Sequence, residues 1–166
     1  MKTLLIALTL ILSLPVAVTA VDDGPATVPA PRGGAPAAMH PPEAQYNDGL
    51  AAAKRRDWKA AEGAYRDALR GRPAFPEAWN GLGYVLRHQG RYDESVRAYH
   101  EALRLRPDYP AALEYLGEAY VKLGRMDDAR ALLEKLRRLK APEADELAAA
   151  IDNAGKTTTT APTSRW

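Results

Sequence analysis

One pattern constrains this chain more than any other: it repeats itself every 34 residues, in phase, three times. Pro42, Pro76 and Pro110 mark one column of the repeat, and Gly49, Gly83 and Gly117 another. Further columns run Ala61, Ser95, Ala129; then Tyr65, Tyr99, Leu133; then Trp58, Tyr92, Met126. A fixed period of this length means stacked supersecondary units, each unable to bury its apolar face alone.

The second unit shows what each unit is. Trp79, Leu82 and Leu86 fall at i, i+3 and i+7, one apolar stripe on a helix. Pro76 suits the first turn, where the amide it lacks has no partner to lose. Gly90 stands where a left-handed residue commonly closes a helix. Tyr92, Ser95, Tyr99 and Ala102 then make the stripe of a second helix, which Pro107 stops. The unit is therefore two antiparallel helices and a short turn.

These residues carry a family resemblance. Trp79-x-x-Leu82-Gly83, Ser95-x-x-x-Tyr99 and Pro107 resemble the tetratricopeptide signature. The third unit repeats it as Leu113-x-x-Leu116-Gly117-x-x-Tyr120 with Gly124, Ala129 and Leu133. The first unit is degenerate: Gln45 and Asp48 replace large apolar residues, and Arg56 replaces the turn glycine. A terminal repeat, with one face toward water, tolerates such changes. The expected fold is all-α, a right-handed solenoid of three helix-turn-helix repeats (42–75, 76–109, 110–143) with a capping helix over 142–154. Asn153-Ala154-Gly155 is read as the end of that helix, and 155–166 as a disordered tail.

Ahead of the repeats, Met1-Lys2, the apolar run Leu4 to Val18 and the small residues Val18-Thr19-Ala20 make a secretory signal peptide, with cleavage expected after Ala20. The Pro/Ala/Gly-rich stretch 21–41 reads as a linker. The expected product is exported, periplasmic or secreted, with no membrane span once the signal is removed. An uncleaved signal would instead leave the repeats tethered to the membrane.

The resemblance also implies where binding occurs, on the concave face lined by the first helix of each unit. The residues carried over are Tyr46, Asn47, Leu50 and Lys54; Asn80, Tyr84, Arg87 and His88; and Glu114, Tyr115, Glu118 and Lys122. Tyr84, Arg87, Tyr115 and Tyr46 are the expected anchors, since tyrosine and arginine bury area while keeping a polar handle. Asn47 and Asn80 would bond a ligand backbone. Chaperone co-factors of this family grip a C-terminal carboxylate with lysines, asparagines and arginine. Here those positions hold Tyr46, Leu50, Gly81, Ala111 and Tyr115, so recognition of that kind is not expected.

No catalytic or metal constellation stands out. His40, His88 and His100 lack a histidine partner at helical spacing, and Gly81-x-Gly83 follows no strand. With 23 Lys+Arg against 21 Asp+Glu, the chain lacks the excess of a nucleic-acid binder, and it has no cysteine. The expectation is a non-catalytic scaffold for a protein or extended peptide, without cofactors. Self-assembly into a homo-oligomer through the capping helix is the alternative.

Overall fold

The computed structural model describes residues 40–159, with side chains through Lys156. The signal peptide, nearly all of the linker and residues 160–166 lie outside the described residues. Among the described residues there are seven helices and no strand. They pair as α1 (Pro42–Lys54) with α2 (Trp58–Gly71), α3 (Pro76–His88) with α4 (Tyr92–Leu105), and α5 (Pro110–Lys122) with α6 (Met126–Leu139), followed by α7 (Glu143–Thr159). The six paired helices start and stop in 34-residue register, each first helix opening on the proline column. Every helix packs on its neighbours in sequence, and the first helices of successive units also touch. The result is a helical solenoid.

The column residues explain the packing. Ala61, Ser95 and Ala129 are wholly buried where helices cross, and the Ser95 hydroxyl donates to the Tyr92 carbonyl at 2.7 Å. The glycines make room for large side chains. A Cβ on Gly83 would lie 2.6 Å from the Tyr99 ring, and one on Gly49 would lie 2.7 Å from Tyr65. Gly81 admits the other side of Tyr65, at 2.6 Å, so that ring is wedged between α1 and α3. In the last unit the space over Gly117 is taken by Leu147 of α7. Gly81 and Gly83 are thus both packing residues.

Ion pairs repeat as well. Arg72 at the end of α2 reaches Glu43 at 2.6 Å, and Arg106 pairs with Glu77 one unit later. The degenerate first unit carries its expected marks: Asp48 is exposed and Gln45 half-buried, because no described helix covers that face.

The turn positions also behave alike. Gly90 and Gly124 have φ of 77° and 72°, and Arg56 is forced to 60°. A side chain in this left-handed region costs on the order of 1–2 kcal/mol. Arg56→Gly is therefore expected to raise stability by about 0.5–1 kcal/mol, after glycine's extra unfolded-state entropy is subtracted. A urea midpoint no higher than that of the unaltered chain would contradict this.

One boundary differs from the sequence reading. α7 starts at Glu143 and runs through Asn153-Ala154-Gly155 to Thr159, so residues 155–159 are helix and not tail. Glycine ends a helix only where the chain turns left-handed, and Gly155 has no positive φ. A side chain there would meet nothing within 4 Å, so nothing forces a break. Leu147 and Ile151 of α7 are buried against α5 and α6, covering the last unit.

Candidate functional site

Because α1 touches α3, α3 touches α5 and α5 touches α7, side chains of the first helices form one continuous face. A cavity of about 260 Å³ opens on it. It is lined by Tyr46, Leu50, Ala53 and Lys54 from α1, Tyr65 from α2, Glu77, Asn80, Gly81 and Tyr84 from α3, and Tyr115 from α5. Six of the twelve residues expected on this face meet there: Tyr46, Leu50, Lys54, Asn80, Tyr84 and Tyr115. Four of the five positions where relatives hold a carboxylate clamp line it too, filled here by Tyr46, Leu50, Gly81 and Tyr115.

Four tyrosines line the cavity. Tyr46 sits 5.8 Å from Tyr65 and 5.0 Å from Phe75, and Tyr84 lies 5.5 Å from Tyr115, centroid to centroid. Burial, and then Glu77, pushes the Tyr46 phenol above its usual pKa; burial, and then Glu114, does the same to Tyr115. Both stay protonated at neutral pH and present hydroxyl donors. Leu50 is 36 % exposed at the rim, one of two exposed large hydrophobic residues among those described. A wider recess of about 430 Å³ between α2, α3 and α4 is edged by charges such as Arg66, Glu94, Arg97 and Glu101, and has no comparable cluster of rings.

Three residues not expected on this face contribute: Ala53, Tyr65 and Glu77. Tyr65 belongs to a second helix, and its ring reaches the groove only because Gly81 has no side chain. That glycine was the available signal.

The remaining expected residues are placed otherwise. Asn47 and Lys122 are exposed and stand away from the cavity. His88 stacks flat on Trp58 at 4.6 Å and contacts Tyr84 at 4.4 Å, with burial and then Arg87 holding it below the usual histidine range. Arg87, expected as a ligand anchor, is engaged within the fold. It pairs with Glu118 at 2.5 Å, and its guanidinium lies 5.6 Å from the Tyr84 ring centre and 5.4 Å from that of Tyr115. Stacking of units two and three brings these groups together, so Arg87 and Glu118 clasp α3 to α5.

Glu114, also expected on this face, is only 8 % exposed. Burial, then the carboxylates of Glu118 and Glu146, push its pKa up to about 7 against the pull of Arg87, and Glu143 adds to the rise. The folded pKa exceeds the unfolded one, so folding takes up a proton between about 4.5 and 7 and stability falls as pH rises through that window. Glu114→Gln is therefore expected to leave stability unchanged at pH 4 and to raise it by on the order of 1–3 kcal/mol at pH 8. Denaturant titrations at both pH values check this; a gap independent of pH would contradict it.

Comparison with known proteins agrees with this geometry. Three family models match: two described as tetratricopeptide repeat, over residues 46–99 and 111–139, and one described as TPR repeat, over 83–124. No curated protein matches the chain. Among solved structures, the TPR2B domain of yeast Sti1 in a pHsp70 complex is 16% identical, with a TM-score of 0.64 over 70% of this chain and 97% of that one. The first TPR of Spaghetti (RPAP3) bound to the HSP90 peptide SRMEEVD is 17% identical, with a TM-score of 0.63 over 68% of this chain and 91% of that one. MamA is 26% identical, with a TM-score of 0.58 over 67% of this chain and 62% of that one. The repeats, their register and these likenesses agree: the chain belongs to the tetratricopeptide-repeat family.

Proposed function

We propose that this protein is an exported, non-catalytic adaptor that holds an extended peptide or protein segment in the groove of its first helices, in the cell envelope or periplasm. The observation that carries this reading is the tyrosine-lined cavity beside an exposed Leu50. Rings on a rigid scaffold bury large area at low entropic cost, and Asn80, Glu77 and Lys54 add polar contacts to fix a ligand's orientation. The similar domains of Sti1 and Spaghetti, solved in a pHsp70 complex and with an HSP90 peptide, support use of this fold for peptides. Export rests on residues 1–20, whose charge, apolar run and small-residue end match a signal peptide.

Panning a random-peptide display library tests the groove, with the protein and its Leu50→Ser/Tyr84→Ala variant as baits of matched helicity. Peptides retained by the first and lost by the second are expected. Equal retention moves binding off this face. Amino-terminal sequencing of protein recovered outside the cytoplasm tests export, with Val21 expected first; an intact Met1 favours the tethered form.

A further inference from the structure

The hydrogen-bonding groups around the tyrosine-lined cavity are unevenly matched. Its lining carries four phenols, Tyr46, Tyr65, Tyr84 and Tyr115, and the ammonium of the exposed Lys54. None of the five has a hydrogen-bond or ion-pair partner among the described residues. Acceptors are fewer. Glu77, the one carboxylate in the lining, is engaged by Arg106. Asn80 is 8 % exposed, and its Oδ1 is buried without a partner, where such an oxygen ordinarily has one. The cavity therefore has spare donors and a single bare amide acceptor.

The backbone of a bound segment can meet this imbalance in one of three conformations. A helix satisfies its own carbonyls, so it leaves these donors unmet, and its anchors need a long apolar groove. Leu50 is the one exposed large hydrophobic residue of the lining. A β-extended segment brings an N–H for nearly every carbonyl and finds Asn80 as the one unpartnered acceptor besides the phenols. A proline-rich segment in polyproline II brings carbonyls free of internal bonds and few N–H groups, since proline has none. Its pyrrolidine rings lie flat on aromatic rings, and its preset backbone loses little entropy on binding. The rings for this are in place. Tyr46 lies 5.8 Å from Tyr65 and Tyr84 5.5 Å from Tyr115, and Gly81, without a side chain, leaves Tyr65 open to the cavity. At about 260 Å³ the cavity is smaller than the roughly 300–1,000 Å³ of sites that enclose a small molecule, so it suits the rings of a chain passing across it.

We propose that the cavity receives a proline-rich segment of a partner protein in the polyproline II conformation. Its pyrrolidine rings lie on the tyrosines and its carbonyls accept from the phenols and Lys54, with Asn80 left to accept an N–H from a residue between prolines. This rests on the groove reading and names the chemistry of its occupant. The chain's own stretch Pro25-Ala26-Thr27-Val28-Pro29-Ala30-Pro31 is a poorer match, because four of those seven residues keep an N–H.

The test uses three blocked, fluorescent nonapeptides: three repeats of Pro-Pro-Gln, the same peptide with Val-Thr in place of each Pro-Pro, and residues 25–33 of this chain. Fluorescence anisotropy near physiological salt is expected to show the proline peptide bound roughly tenfold tighter than either of the others. Tyr46→Phe/Tyr115→Phe, which keeps both rings and removes both hydroxyls, should weaken the proline peptide by about tenfold. Arg97→Ser, in the wider recess between α2, α3 and α4, should leave it unchanged. Equal affinity for the proline and Val-Thr peptides, or full affinity for the proline peptide in Tyr46→Phe/Tyr115→Phe, overturns the proposal. Tightest binding by the chain's own stretch makes the occupant a second copy of this protein and overturns it too. Proline and Val-Thr peptides bound alike and both lost on Leu50→Ser/Tyr84→Ala would leave the groove standing and remove only this inference. Proline-peptide binding that survives Leu50→Ser/Tyr84→Ala sinks both readings.

Discussion

Replacing Tyr65 with alanine is expected to destabilise the protein by about 3–5 kcal/mol, the range for deleting a buried aromatic ring from a core. The ring is 2 % exposed and fills the space left by Gly49 on α1 and Gly81 on α3, so its loss opens a cavity that three helices line. Those helices cannot easily collapse onto it, because each is held in register by the next unit. Gly63→Ala on the same helix supplies the contrast. A side chain there meets nothing within 4 Å and adds helix propensity, so a gain of about 0.5–1 kcal/mol is expected. Urea titration of both variants checks the pair. A cost under about 1 kcal/mol for Tyr65→Ala would mean that the wedge does not hold the units together.

Ending the chain before Pro142 should produce the second large effect. Leu147 and Ile151 are buried against α5 and α6, and burial of each contributes about 1.5–3 kcal/mol, so a loss of about 3–6 kcal/mol is expected. In a solenoid each unit contacts only its neighbours, so the damage should be local. Amide exchange should quicken first in α5 and α6, while α1 to α3 keep their protection. Uniform loss of protection along the chain would show stronger coupling between units than this packing implies.

Much of the fold was legible because a repeat reports the same physics several times. Proline, glycine and small-residue columns placed all six paired helices, and the odd Arg56 could be read as a strained turn before its φ was known. The end of α7 was not legible, since Gly155 is compatible with either a stop or a continued helix. The groove was legible in part. Tyr46, Leu50, Lys54, Asn80, Tyr84 and Tyr115 were placed by the family resemblance, whereas Tyr65 arrives from a second helix through a missing side chain.

The sequence by itself determined the unit, its period and which stripe of each helix is apolar, because these depend on spacings within one turn or one hairpin. Only the tertiary structure decided how the inward residues are used. Arg87 and Glu118 are 31 residues apart, and Glu114 and Glu143 are 29 apart. Whether such groups clasp or repel depends on how one unit stacks on the next. That stacking is set by side chains such as Tyr65, Tyr99 and Leu147 filling the spaces over glycines, an outcome of shape and burial that no single helix's pattern contains.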